Sequence, residues 1–238
     1  MAYIDGFVAA VPAGRRQDYI DHAKRATPLF AEFGAVRCVD AWGEDVPDGK
    51  LTDFKGAVQA QAGEVVVFGW FEHPSREVRD SVHQRMGSDP RMEALGEMPF
   101  DGKRMIFGGF RPIVDLGKPV ANAFVDGFLL AVPESGEAAY TAIARAAAEV
   151  FIDHGAARVV EAWDDDVPEG KLTDMRRAVK AEAGEKIVFS WIEWPDRATR
   201  DAGMKSSMED PRMKMEHEKM PFDGKRVVFG GFQVVAEG

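Results

Sequence analysis

Asp45-Val-Pro-Asp-Gly-Lys-Leu-Thr-Asp53 returns as Asp166-Val-Pro-Glu-Gly-Lys-Leu-Thr-Asp174, so the fold must be built from one module used twice. Ala41-Trp42 recurs as Ala162-Trp163, Trp70 as Trp191, and Asp89-Pro-Arg-Met92 as Asp210-Pro-Arg-Met213, each displaced by 121 positions. After one inserted residue, Met98-Pro-Phe-Asp-Gly-Lys-Arg104 recurs as Met220-Pro-Phe-Asp-Gly-Lys-Arg226, displaced by 122. A period this long lies outside the range of solenoid repeats and points to a fused pair of domains.

With 238 residues, 45% hydrophobic and 29% charged, the chain can build two small cores or one shared core. Its net charge of -10 argues against nucleic acid or anionic membrane as partner, because both attract through basic surface. No basic stretch followed by an apolar run opens the sequence, and no apolar run is long enough to span a bilayer, so a cytoplasmic protein is expected. Cys38 is the only cysteine and aligns with Val159, which excludes an internal disulfide or a cysteine metal cluster and suits a buried thiol.

Within one module, Tyr3 to Val11 is short, apolar and closed by Pro12, which predicts a strand entering a helix. Arg15 to Phe33 carries Tyr19, Ala23, Ala26, Leu29, Phe30 and Phe33 at helical spacing, with Gly34 as a stop. Val36 to Trp42 and Glu64 to Glu72 predict the next two strands. Ser75 caps a second helix running to about Ser88, Asp89-Pro90 starts another turn, and Arg104 to Pro112 predicts the last strand. The order β-α-β-β-α-β is that of a ferredoxin-like unit in an α+β fold. Modules are expected at 1–117 and 122–238, joined by a short linker. Because the strands read as apolar on both faces, the two sheets should pack on each other as a pseudo-dimer within one chain, with higher oligomers also open.

The paired Asp-Val-Pro-(Asp/Glu)-Gly-Lys loops, the strands Val66-Val-Phe-Gly-Trp70 and Ile187-Val-Phe-Ser-Trp191, the Asp-Pro-Arg-Met turns and the trailing Gly108-Gly109-Phe110 and Gly230-Gly231-Phe232 resemble the DUF1428, or YbaA-like, family. The resemblance runs almost end to end in each module and implies a tandem version of a dimeric α/β barrel, with no activity attached. Two departures stand out. Gly69 replaces the serine of the family pattern, which the second copy keeps as Ser190, and Phe107 and Phe229 stand where tyrosine is expected.

None of the five histidines has a counterpart: His22 aligns with Ile143, His73 with Trp194, His83 with Met204 and His154 with Phe33, while His217 adjoins the insertion. A duplicated histidine site is thereby excluded, and neither a metal site nor a cofactor is expected. The acidic loops fail the calcium pattern, since Val46 or Val167 falls at a ligand position; they read as turns in which Gly49 and Gly170 supply a positive φ. Lys50 and Lys171 could close over an anion or sit solvated. Methionines such as Met86, Met92 and Met98 read as core filler.

The best constellation lies on strands, where period two groups Asp5 with Tyr3 and Phe7, Asp40 with Trp42, and Glu72 with Trp70. The second copy gives Asp126, Glu161 with Trp163, and Glu193 with Trp191. A carboxylate among apolar neighbours must be paired, protonated or facing a wet cavity. One reading is an aromatic-lined cavity inside the barrel where these acids hold a small molecule, with Gly6 and Gly127 leaving space beside Asp5 and Asp126. The other pairs Asp5 and Asp126 with Arg104 and Arg226 and leaves the tryptophans as core. By analogy with other dimeric α/β barrels, the first reading extends to a cofactor-independent, monooxygenase-like enzyme. The alternative is a non-catalytic structural or protein-interaction module.

Overall fold

A computed structural model describes residues 2–214 and 220–238. Each module contributes four strands. The first holds β1 (Tyr3–Pro12), β2 (Arg37–Asp45), β3 (Glu64–His73) and β4 (Ile106–Gly117). The second holds β5 (Phe124–Pro133), β6 (Arg158–Asp166), β7 (Glu185–Trp194) and β8 (Val228–Glu237). Helix α1 (Arg16–Phe33) crosses from β1 to β2, α3 (Arg76–Ser88) follows β3, and α4 (Pro90–Glu93) is a single turn; α5 (Glu137–Asp153) and α7 (Arg197–Glu209) are the counterparts of α1 and α3. Two short helices in the β2–β3 and β6–β7 connections, α2 (Phe54–Ala57) and α6 (Met175–Ala178), carry no periodic signal long enough to read from sequence.

All eight strands close into one antiparallel barrel in the order β1-β3-β2-β8-β5-β7-β6-β4. The modules share hydrogen bonds as well as a core, because the last strand of each leans on the other: β4 pairs with β6, and β8 with β2. This closure leaves no free sheet edge. The long helices α1, α3, α5 and α7 cover only the outer face. The predicted caps are in place, with Ser75 accepting from the Val78 N–H, Asp89 from the Arg91 N–H, and Gly34 at φ 127° ending α1. Among the described residues no helix is long and apolar enough to cross a membrane.

The barrel interior is solid. Ring stacks across the pseudo-twofold fill its middle, Phe68 on Phe189 at 4.5 Å and Trp70 on Trp191 at 4.4 Å. A Cβ on Gly6 would sit 2.7 Å from Phe189, and one on Gly127 would sit 2.8 Å from Phe68. The space expected beside Asp5 and Asp126 is therefore taken by the opposite module's phenylalanine, and glycine is needed because a ring lies against the backbone.

The twice-written acidic loop closes one end of the barrel. Asp53 caps α2 through the Gly56 N–H at 2.6 Å and holds the Gly49 N–H at 3.0 Å, and Asp174 does the same with Arg177 and Gly170. The cap aims buried Phe54 and Met175 into the core, Phe54 edge-on to Phe68 and Phe232. The positive φ expected at Gly49 and Gly170 does not occur; a Cβ there would meet the carbonyl oxygen of Thr52 or Thr173 at 2.0 Å. Close backbone approach fixes those glycines. Lys50 and Lys171 lie exposed on this loop.

Candidate functional site

The sheet divides the ten candidate residues into three groups. Trp70, Glu72, Trp191 and Glu193 point into the barrel, whereas Asp5, Asp40 and Trp42 lie on the outer face beneath the helices of the first module, and Asp126, Glu161 and Trp163 on that of the second. Among the described residues the expected rings do not enclose a single cavity inside the barrel: Trp70 stacks on Trp191, and Trp42 and Trp163 lie outside against Tyr19 and Tyr140.

The inner group is an ionic plug at the end opposite the acidic loops. Arg37 donates two hydrogen bonds of 2.8 Å to the two oxygens of Glu193 in the other module, and Arg158 donates to Glu72 at 2.7 and 3.0 Å. Each tryptophan N–H donates at 3.1 Å to the glutamate two residues on. Both arginines face their aromatic neighbours, and Glu193 is fully buried. Every carboxylate here has a guanidinium in bidentate contact, so the plug locks the register of the two modules and offers no unfilled acceptor to a ligand.

The outer acids have arginine partners other than those expected. Arg104 binds Glu64 at 2.7 Å through both terminal nitrogens, and Arg226 binds Glu185 at 2.8 Å in the same way. The reason is the strand boundary: β4 starts at Ile106, which leaves Arg104 in the preceding turn beside the start of β3. Asp5 takes Arg79 Nε at 2.7 Å on Oδ1, with His73 Nε2 at 3.0 Å and His83 Nε2 at 2.9 Å on Oδ2. Burial by itself would raise its pKa, but the His73 and His83 hydrogen bonds and the nearby Arg79 charge outweigh it and hold the carboxyl well below the usual range. An ionised Asp5 can only accept, so each imidazole donates to it from Nε2.

Asp126 takes Arg200 at 2.6 to 3.1 Å and the Trp194 indole N–H at 2.9 Å. Here burial wins over Arg200 and Trp194, and the carboxyl is pushed above the ordinary range. An arginine partner alone therefore does not set the sign. The two imidazoles at Asp5 do, and the second copy has replaced them with Trp194 and Met204.

Beneath α1, an apolar pocket of about 370 Å³ opens between the helix and the outer face of the first sheet. Phe7, Phe30, Phe71, Phe100, Met86 and Met105 form much of its wall; Asp5, Tyr19, His22, Asp40 and His83 are its polar groups. Met98 and half-exposed Phe107 flank it. Tyr19 reaches down from the first turn of α1 and donates its hydroxyl to Asp40 at 2.5 Å. Burial pushes Asp40 up to about 6, with the Tyr19 hydrogen bond as the opposing influence, and no cation pairs with it among the described residues. The Nδ1 of His22 is buried with no partner among the described residues, and burial, with Arg25 nearby, lowers the pKa of this imidazole. A wider depression of about 660 Å³ on the polar side of α1 shares His22 but is lined by charged surface residues such as Arg15, Asp18 and Lys24.

The second module has the corresponding pocket beneath α5, about 270 Å³, with Tyr140 donating to Glu161 at 2.6 Å. Burial raises Glu161 to about 7 against the hydrogen bonds of Tyr140 and Ser190. Trp42 and Trp163 pack against Tyr19 and Tyr140 from the side. Sequence reasoning missed both tyrosines as partners of the acids, although Tyr19 and Tyr140 are matched across the repeat and lie on the buried stripe of their helices. It also set aside His22 and His83 for lacking counterparts. His217 lies outside the described residues.

Among the described residues no group of three His, Cys, Asp or Glu side chains is placed to hold a metal ion. Three crystal structures share the fold. Two proteins described as "putative monooxygenase", from Lactobacillus acidophilus NCFM and Fusobacterium nucleatum, superpose with TM-scores of 0.62 at 10% identity, covering 100% and 99% of this chain and 95% and 93% of theirs. An "anthrone oxidase-like protein" superposes at 0.58, also at 10% identity, covering 100% of this chain and 92% of its own. At such identity the likeness shows the fold alone. By sequence, "Uncharacterized protein YbaA" of Escherichia coli K12 is 60% identical over 116 residues, 48% of this chain and 99% of that protein. The family model described as "Protein of unknown function (DUF1428)" matches residues 2–102 and again 123–224, and the chain belongs to that family as a two-copy member.

Proposed function

We propose that the protein binds a small, mostly apolar molecule in the pocket under α1 and takes a proton from it at Asp40. The observation that carries this reading is a buried carboxylate without a cation, facing an apolar pocket of about 370 Å³. A base whose pKa lies near 6 is largely ionised at neutral pH and still basic enough to accept a proton, which suits general-base chemistry. His22 and His83, the latter held by Asp5, add imidazoles to the wall. Proton removal from an activated methylene leaves an electron-rich anion. Dioxygen can convert such a carbon to a carbonyl, with the second oxygen atom leaving as water and no cofactor consumed. The three structural relatives, described as putative monooxygenases and an anthrone oxidase-like protein, share the fold in which such an oxidation is proposed here.

A probe with the right acidity is 2-tetralone in deuterated buffer. Proton NMR should show faster methylene exchange with the protein than without it, a rate rising through about pH 6, and loss of the acceleration in Asp40→Asn. Exchange indifferent to that substitution would refute proton transfer at Asp40, and an oxygen electrode then reports whether oxidation follows. A second reading, an interaction module without chemistry, is favoured by Phe107 and Phe229, exposed at 46% and 51% on matching positions of β4 and β8. It expects no acceleration at all.

A further inference from the structure

Residue 69 makes the two pockets chemically unequal. Asp40 faces Gly69 across β2 and β3, and Glu161 faces Ser190 across β6 and β7. In the second module Glu161 accepts from Tyr140, and the Ser190 side chain opposite it is near enough to oppose the rise of its pKa. Asp40 has Tyr19. A carboxyl group can accept more hydrogen bonds than this one donor supplies.

The absent side chain also decides where a ring lies. A Cβ on Gly69 would stand 2.3 Å from Cζ of Phe7 and 2.6 Å from its Cε1, so the tip of that ring occupies the volume a side chain would need. Phe7 is steadied there edge-on by Phe71 at 5.8 Å, and Phe71 packs on Phe30 at 4.8 Å. The second module has Ile192 in place of Phe71, and its Phe128 must leave room for Ser190. Its pocket is also the smaller, about 270 against 370 Å³.

We propose that Gly69 and Phe7 are the specificity-determining pair of the first pocket, selecting a flat aromatic molecule with one acidic O–H, its ring against Phe7 and its O–H on Asp40. This rests on the reading that the pocket under α1 binds a ligand. A phenol or enol meets the requirement because it is planar, apolar and a strong donor to a carboxylate. The same molecule finds a serine opposite Glu161, Ile192 in place of Phe71, and a second pocket short of room.

The test is calorimetric titration of the full chain with 2-naphthol. Wild type should show one tight site per chain. Ser190→Gly, which removes atoms and introduces no clash, should create a second site of comparable affinity. Gly69→Ser should weaken the first at least 10-fold. Because the Val39 carbonyl oxygen also lies 2.7 Å from that Cβ, Gly69→Ser can strain the strand, and the double variant Phe7→Leu/Gly69→Ser serves as a check with the ring tip removed. It should bind as weakly as Gly69→Ser while melting near wild type. Wild-type binding that is lost in Asp40→Ala but unchanged in both serine variants, with no second site in Ser190→Gly, would overturn the selection while leaving the pocket reading intact. Failure of wild type to bind 2-naphthol would overturn both.

Discussion

Asp40 and Glu161 sit at matching positions under matching tyrosines, yet the side chains around them have diverged in one direction. Around Asp40 the first copy carries His22, His83 and Gly69, where the second copy has Ile143, Met204 and Ser190 at the matching sequence positions. Between the two pockets the barrel core has kept its symmetry, with phenylalanine on phenylalanine, tryptophan on tryptophan, and two crossed arginine–glutamate pairs. A buried jigsaw shared by both copies tolerates little independent change, because each ring is packed against its own duplicate. The outer pockets touch only their own helices and are free to differ. Duplication here held the scaffold fixed and released one site from the other.

The symmetry of the core can be broken most severely. Arg37→Met leaves Glu193 buried and Arg158→Met leaves Glu72 short of its main partner, and each should cost about 3–5 kcal/mol in denaturant unfolding. Comparable losses would support a shared core, and a loss confined to one variant would show that the modules bear the plug unequally.

The pocket acids come next, and they act in the opposite sense. With pKa values of about 6 for Asp40 and 7 for Glu161 against ordinary values of 3.8 and 4.5, both favour the folded state in their neutral forms. That stability is full below the ordinary values and is lost as pH rises through about 6 and 7. Asp40→Asn and Glu161→Gln should therefore stabilise the protein at pH ~8 by roughly 2–3 kcal/mol each, since one pKa unit is about 1.4 kcal/mol, and do little at pH ~4. Thermal melts across that range check the sign.

Asp5 and Asp126 should separate the copies. The depressed Asp5 contributes stability above its ordinary value that disappears as pH falls, whereas the raised Asp126 contributes it only on the acid side. Asp5→Asn should thus cost about 1.5–3 kcal/mol at neutral pH through weakened hydrogen bonds to charged partners, and Asp126→Asn should be neutral or mildly stabilising. Carboxyl-carbon NMR can confirm the two directions, and parallel behaviour would dissolve the distinction between the copies. The smallest effect belongs to the linker. A protease site placed at 118–122 and cut should leave the halves, 1–117 and 122–238, associated without change in hydrodynamic radius, because β4–β6 and β2–β8 pairing survives the cut.

Much of this architecture was legible because repetition is a pattern along the chain. The βαββαβ order, the Ser75, Asp89 and Gly34 helix signals and the need to bury both sheet faces all followed from spacing and residue type. What spacing could not supply was which face of each strand looks inward. Asp40 and Trp70 each lie between apolar neighbours, yet one is under a helix and the other inside the barrel, since both faces of such a strand are buried. Partners were hidden as well: Asp5 pairs with Arg79 on α3, 74 residues on, while Arg104, expected on the last strand, is held in a turn by Glu64. The unmatched histidines were informative as an asymmetry, and their significance emerges only once His22 and His83 are seen around the same pocket.

Proton transfer at Asp40 of the first pocket, as proposed, is tested most directly by comparing Asp40→Asn with Glu161→Gln in the exchange of 2-tetralone methylene protons for deuterium. Loss of acceleration in Asp40→Asn with wild-type rates in Glu161→Gln is the expected result, and equal losses in both, or a loss in Glu161→Gln alone, would contradict it.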